Sequence, residues 1–363
     1  MNVISSIMAV FAVIGAIDLI IGNKFGLGKE FEKGLMMLGN LAISMIGMIV
    51  LAPLFAHLLS APLKALSSLI PIDPSAFIAC LLANDMGGAP LALELTENPE
   101  IGYFSGLVIG SMMGATVSFT LPFVMGAVEK EQRKSVLLGL LCGICTIPVG
   151  CLVSGLMCGL NILTVLINLT PLILLSVILA VGLLKFPDIA VKIFNVFGVI
   201  IKTLVIFGLA VGIVTYLTGW EPIPHTAPIE EGVAIIFNIA AVMAGAFPLI
   251  FLISKLLSKP LSALGQKTGL NEKSVLGFLS TLATSVTTFG MMKDMDNKGV
   301  ILNSAFAVSA AFTLADHLAF TLSFRAELLP AVIVGKLISG VLAVALAAMI
   351  CQKRVAKQDL SAT

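Results

Sequence analysis

Residues 58–66 read LLSAPLKAL and residues 256–264 read LLSKPLSAL. Seven of the nine positions agree across an offset of 198, and each copy follows a long apolar run and precedes a short one. A proline-bearing match of this kind is a repeat signal, and residues further along extend it. Gly106, Gly110 and Gly114 stand four apart in the first half; Ala307, Ala311 and Ala315 do so 201 positions later. Small residues at that spacing let helix backbones approach closely in lipid. Thr120 and Thr321, each after a phenylalanine, keep the same offset. The chain therefore reads as two related halves.

Composition sets the solvent. Of 363 residues, 58% are hydrophobic and 11% charged, and the mean hydropathy is +1.10. A soluble domain needs far more polar surface to cover its core. This is the composition of an integral membrane protein of the all-α, polytopic class. The net charge of +1 leaves no basic stripe for nucleic acid. The six cysteines lie in apolar runs, as packing residues and not as a disulfide framework. Cys142-x-x-Cys145 has no second pair or nearby histidine to make it a metal site. No nucleotide-binding, hydrolase, zinc-protease or haem motif is present, so no cofactor is called for and an enzyme is not indicated.

Crossing a bilayer as a helix takes about 20 apolar residues. Such stretches fall at 2–23, 34–60, 101–127, 135–160, 162–184, 190–219, 228–254, 299–324 and 328–351, with two shorter pieces near 76–93 and 274–292. The first stretch has no basic lead and no small-residue cleavage site, so it reads as a retained helix. If both short pieces are re-entrant, seventeen Lys and Arg share one face, running from Lys24, Lys29 and Lys33 through Lys130 to Lys353, Arg354 and Lys357. Lys64 and Arg325 alone take the other face, and Lys202 and Lys336 stay inside or beside spans. The positive-inside rule makes the crowded face cytoplasmic. The N-terminus is then outside and the C-terminus inside. The acidic loops Glu94–Glu100 and Glu221–Glu231 are outside, with Trp220, Tyr216 and Tyr103 as interfacial anchors. Repeat 1 covers 1–160 and a linker helix 161–186. Repeat 2 covers 187–352 and a cytoplasmic tail 353–363. Four crossings plus the linker precede the second half, so the two repeats have inverted topology. That architecture belongs to secondary transporters, whose substrate site lies where broken segments meet near the midplane.

The tips of the short pieces carry the polar residues. The first is Asn84-Asp85-Met86-Gly87-Gly88, followed by Ala89-Pro90, which breaks a helix and frees backbone groups. The second, Thr284-Ser285-Val286-Thr287-Thr288, holds four hydroxyls in five residues. Back-bonding to the preceding turn is the structural alternative for Thr287 and Thr288. A carboxylate in hydrocarbon needs a cavity or a partner, and Asp85 and Asp316 both lie deep in apolar segments, Asp316 beside His317. Neighbours on a helix point about 100° apart, so Asp316 and His317 cannot form one bidentate site by themselves. Asp18 reads as an interfacially solvated acid near Lys24, His57 as a helix-end residue and His225 as a loop residue.

Three segments, LLANDMGGAPLALEL (81–95), LSTLATSVTTFGMMKDMDNKG (279–299) and LNSAFAVSAAFTLADHLAFT (302–321), resemble those of the EutH family, the membrane permeases of bacterial ethanolamine-utilisation systems. The resemblance covers nearly the whole chain. It implies ethanolamine uptake across the bacterial cytoplasmic membrane, feeding degradation enzymes housed in a microcompartment. Ethanolamine is largely a primary ammonium ion at neutral pH, comparable to a lysine side chain, and carries one hydroxyl. Asn84, Asp85, Gly87, Gly88, Thr284, Ser285, Thr287, Thr288, Asp316 and His317 form the candidate substrate-binding set. The aspartates supply charge, Asn84 and the tip hydroxyls receive the alcohol, and backbone carbonyls freed at the glycines complete the shell. A channel-like pore and a membrane receptor for the same amine are the competing readings. Homo-oligomerisation stays open, because small-residue ladders serve subunit contacts as well as internal ones.

Overall fold

The computed structural model describes residues 3–129 and 131–361, with the backbone alone at 68–69, 125–127, 191, 257–268 and 353–361. Lys130 of the charge count lies outside the described residues, as do the chain's first two and last two positions. The side chains of Lys259, Lys267, Lys353, Arg354 and Lys357 are likewise not described. Every regular element among the described residues is helical.

Helix α1 (Val3–Ile20) is followed by α2 (Leu27–Leu41), a π turn (Ala42–Ile46) and α3 (Gly47–Leu69), which run on as one rod. The first short piece is α4 (Pro74–Ala79), a tip, and α5 (Gly88–Leu95). Then α6 (Pro99–Tyr103) passes into π geometry over Phe104–Gly114 and Thr116–Thr120 before α7 (Leu121–Ala127). Helix α8 (Arg133–Met157) completes the expected first half. The stretch expected as a linker is α9 (Ile162–Asn168) and α10 (Thr170–Lys185), bent by 42° at their junction. The expected second half contains α11 (Pro187–Thr218) and the 40-residue α12 (Ile229–Thr268). Its short piece is α13 (Glu272–Ala283) and α14 (Ser285–Gly290). There follow α15 (Asn297–Ala310), α16 (Asp316–Arg325) and α17 (Leu329–Ser361).

Among the described residues seven helical runs are long and apolar enough to cross a membrane, or eight with the bent α9–α10 pair. One of the seven, Asp316–Gln352, is not a single rod. Arg325 adopts extended backbone (φ −156°, ψ 91°), and His317 Nδ1 lies 3.0 Å from Lys336 Nζ. Nineteen residues of straight helix would separate them by about 28 Å, so α16 and α17 fold back on each other. The expected span 299–324 is thus α15 and α16, interrupted at 311–315 in extended and turn backbone. There Phe312 N donates to Thr281 O (3.1 Å) and Leu314 N to Leu282 O (2.9 Å), and Phe312 has φ 61°. Backbone polar groups released from a helix at this depth need such partners. The interruption also corrects the second small-residue ladder: α15 ends at Ala310, so Ala311 and Ala315 stand in the break.

The first ladder is internal. A Cβ on Gly106 would sit 2.8 Å from Ala89 Cα, one on Gly110 3.2 Å from Asn84 N, and one on Gly114 would strike the Leu82 carbonyl. The ladder is the groove that admits the first short piece. Both nonapeptides lie inside their long helices, since the rods run on to Leu69 and Thr268. Pro62 removes a single backbone donor and the rod continues past it. His57 is therefore not at a helix end; its ring stacks on that of His225 at 4.3 Å.

Asp18 also corrects its expectation. It is only 2% exposed and accepts from Phe25 N (3.0 Å), Leu27 N (2.8 Å) and Gly28 N (2.9 Å). Its carboxylate satisfies the free amides at the start of α2, which interfacial water would otherwise do. Asp73, Asn98, Asn271 and Asp296 cap α4, α6, α13 and α15 in the same manner, and Pro74 and Pro99 stand at the first turn where proline fits.

Across the halves, α1 packs on α12 while α11 packs on α3 and the Ala42–Ile46 turn. Helices α8, α15 and α17 pack mutually, held by buried hydroxyls: Ser154 Oγ donates to Ala331 O (2.8 Å), Thr146 Oγ1 to Ser339 O (3.0 Å), and Ser309 Oγ pairs with Ser339 Oγ (2.6 Å). In lipid, close packing and such polar bonds hold helices together.

Candidate functional site

The first tip is set by a glycine. Gly87 has φ 91°, and a Cβ there would lie 2.5 Å from Met48 Cβ, so only glycine allows the turn. Asn84–Met86 forms a single tight turn ahead of it, with Ala83 N donating to Ser118 Oγ (3.1 Å). This turn aims Asp85 into a cavity of about 400 Å³ bounded by Met37, Asn40, Ser44, Phe119, Thr284, Phe312, Asp316 and His317. Residues from both short pieces, from the α2–α3 rod, from the π-helical stretch and from the α15–α16 break meet there. A second cavity of about 310 Å³ shares Met37, Asn40, Thr284 and Asp316 with it and reaches Lys33 and Phe247. Lys33 is mostly exposed, pairs with Glu30 at 3.4 Å and lies 4.7 Å over the Phe247 ring. The polar site thus opens toward the Lys33 end. Toward the other end of α16, Arg325 bonds Glu100 Oε1 (2.8 Å) and lies 4.6 Å over the Tyr103 ring. Tyr103, expected as an interfacial anchor, holds this cation, whereas Tyr216 and Trp220 are exposed.

Asp316 is the first residue of α16, and its Oδ1 is buried without a hydrogen-bond partner. A helix N-terminus favours a negative charge there. His317, turned the other way, is fully enclosed, with Nε2 4.0 Å from Asp85 Oδ1. The Asp85 carboxylate keeps 23% exposure toward the cavity. Behind His317 lies Lys336, wholly buried, its Nζ donating to Ser111 O (2.7 Å) and sharing a hydrogen bond with His317 Nδ1 (3.0 Å).

Of the ten residues read from the sequence, Asp85, Thr284, Asp316 and His317 bound the cavity. Asn84 and Ser285 are fully buried beside the tips, with side-chain atoms lacking partners. Gly87 and Gly88 shape the turn. Thr288 bonds Thr281 Oγ1 (2.9 Å) and Gly277 O (3.1 Å), pinning α14 to α13, and Thr287 is exposed. Lys336 escaped the reading. Its signal was plain: one cation in the apolar run 328–351, with no acid nearby in sequence.

Another cavity, of about 460 Å³, is an apolar cleft between α10 and α11 lined by residues such as Leu175, Phe186 and Phe194. Its lining side chains are apolar, in contrast to the carboxylates and amide of the Asp85 cavity.

Apolar crossing helices around a buried cavity with two carboxylates define a multi-pass helical membrane protein with an internal polar site. The chain belongs to the EutH family: its residues 1–350 match the family described as "Ethanolamine utilisation protein, EutH". It is 45% identical over 356 residues to the "Probable ethanolamine permease EutH" of Listeria monocytogenes, covering 98% of this chain and 95% of that one. It is 37% identical to the protein of the same name from Escherichia coli, covering 100% and 97%. It is 40% identical to "Uncharacterized protein YxeR" of Bacillus subtilis, covering 97% and 95%. No solved structure matches.

Proposed function

We propose that this protein is a permease that carries ethanolamine across the bacterial cytoplasmic membrane by alternating access of the Asp85 cavity. The observation that carries the reading is the convergence of Asp85 and Asp316 on one cavity that adjoins a second cavity reaching Lys33. Two carboxylates suit a primary ammonium, and the Thr284 hydroxyl and Asn40 amide suit its alcohol. The names of the relatives agree with this substrate.

The halves are inverted repeats in this reading. Supporting it are the nonapeptide match, the tips placed 200 positions apart, and the crossed packing in which the first helix of each half lies on the second long helix of the other. The count of cations puts the Lys33 face in the cytoplasm, so the second cavity faces inward as a vestibule and the Arg325–Glu100 bond closes the outside. The N-terminus is then outside and the C-terminus inside, and the solute is delivered to the cytoplasmic enzymes that degrade it.

Purified protein in liposomes tests the reading. Saturable uptake of labelled ethanolamine with counterflow is the expected result. Non-saturating flux turns the reading into a channel, and binding without accumulation into a receptor.

A further inference from the structure

Lys336 is a buried cation among the described residues that substrate binding leaves unexplained. It is wholly enclosed, and the hydrogen bond between its Nζ and His317 Nδ1 needs one lone pair and one proton on that line. Two arrangements satisfy it. In the first, Lys336 is an ammonium donating to Nδ1; the His317 proton is then on Nε2, facing an ionised Asp85. In the second, Lys336 is an amine accepting from Nδ1–H, Nε2 has the lone pair, and Asp85 holds a proton. Ser111 O accepts from Nζ in both.

We infer that Lys336, His317 and Asp85 form an internal proton relay in which Lys336 stores the proton of Asp85 while an ammonium solute occupies the cavity. The inference rests on the transport reading above. The Asp85 O–H bond breaks as His317 Nε2–H forms, and His317 Nδ1–H breaks as a third Nζ–H forms. No proton enters or leaves, and the three groups keep the same net charge. A cation in the cavity favours the ionised carboxylate, whose attraction is strong where water is excluded. With the cavity empty, the neutral arrangement avoids a charge pair out of water. The 4.0 Å gap from Nε2 to Asp85 Oδ1 exceeds a hydrogen bond. Asp85, at a tip and partly open to the cavity, must turn toward His317 for the transfer and away from it for the solute.

The surroundings leave this the available route. Helix α15 packs on α17 and has no titratable group over Ile301–Ala310; the π stretch Phe104–Gly114 has none either. On α8, which packs on α17, Cys151 is a buried thiol. Asp316, on α16, lines the same cavity as Asp85.

The test uses the full-length protein in lipid nanodiscs with ethanolamine hydrochloride as probe. Calorimetry reads binding, difference infrared spectroscopy reads protonated carboxyl groups, and a dye in weak buffer reads protons released. Binding to the wild type is expected to remove one protonated-carboxyl band, absent in Asp85→Asn, with no proton released. In Lys336→Met the same loss releases one proton per bound solute. Lys336→Arg keeps a cation but cannot accept a proton, so its carboxyl is already ionised and the band does not change. Binding to the wild type without a band change, or with one proton released, overturns the relay and leaves transport standing. Absence of binding overturns both.

Discussion

Asp85 shows how much one side chain can carry here. It is the charged group of the first tip, open to the cavity on one side and facing His317 on the other. Removing its charge while keeping its shape leaves the solute's ammonium to Asp316 alone. Loss of one partner of a buried charge contact is worth 2 kcal/mol or more, so Asp85→Asn is expected to reduce uptake of labelled ethanolamine roughly thirtyfold or more. Unchanged uptake at low external pH removes Asp85 from the site. Gly87→Ala tests the turn that aims it: φ 91° is left-handed backbone, and the added methyl meets Met48. A loss of about 1–2 kcal/mol is expected, read as a lower unfolding temperature in detergent. Asp85 was legible as a carboxylate in an apolar run. That His317 links it to Lys336 was not, because the link depends on α16 and α17 folding back at Arg325, a residue that gives no turn signal.

At the scale of elements, the two tips were read from the sequence, whereas the caps and the α15–α16 break emerge from the structure. Asp296 stands before α15 and accepts from Ser274 Oγ (2.5 Å), Asn271 N (3.0 Å) and Gly299 N (3.0 Å). Partial burial pushes its carboxyl up, but the bonds from Ser274, Asn271 and Gly299 outweigh this and hold it below the usual aspartate range. A carboxyl depressed on folding adds stability above its unfolded value of about 4 and loses it as pH falls through the lower folded value. Asp296→Asn is therefore expected to lower the unfolding temperature at neutral pH, with the gap to wild type shrinking below about pH 4. A constant gap across that range refutes the assignment. Asp18→Ala should loosen the α1–α2 corner, read as faster proteolysis near Phe25. By contrast, the break at Ala311–Ala315 falls in AFTLA, with neither glycine nor proline to announce it. It exists because the neighbouring hairpin supplies acceptors at Thr281 and Leu282, a tertiary cause invisible to local pattern.

At the scale of the whole molecule, an all-helical chain with several membrane-crossing helices was legible because lipid enforces it through length and hydropathy alone, although among the described residues seven or eight runs qualify where nine stretches were expected. The cavity was legible only in outline. Its floor comes from the α2–α3 rod, and Asn40 and Ser44 have no feature in sequence that distinguishes them from other polar residues on a helix. Orientation is open to a direct check. In a chain freed of its native cysteines, a cysteine at Lys33 is expected to react with an impermeant thiol reagent only from the cytoplasmic side. One at Trp220 should react only from outside. The reverse pattern inverts the vestibule and with it the direction in which this conformation faces.

The wide turns of Phe104–Thr120 have a consequence for how this family tolerates change in length. A π turn differs from an α turn by one residue in the hydrogen-bonded loop, as where Ala115 N bonds Gly110 O; such turns behave as single-residue bulges in an otherwise regular helix. Deleting one residue there can be absorbed by tightening a turn, leaving Glu100 still opposite Arg325. The same deletion in α8 would swing everything beyond it by about 100°. A gap in an alignment within Phe104–Thr120 therefore marks an altered winding of this helix and not a shortened crossing.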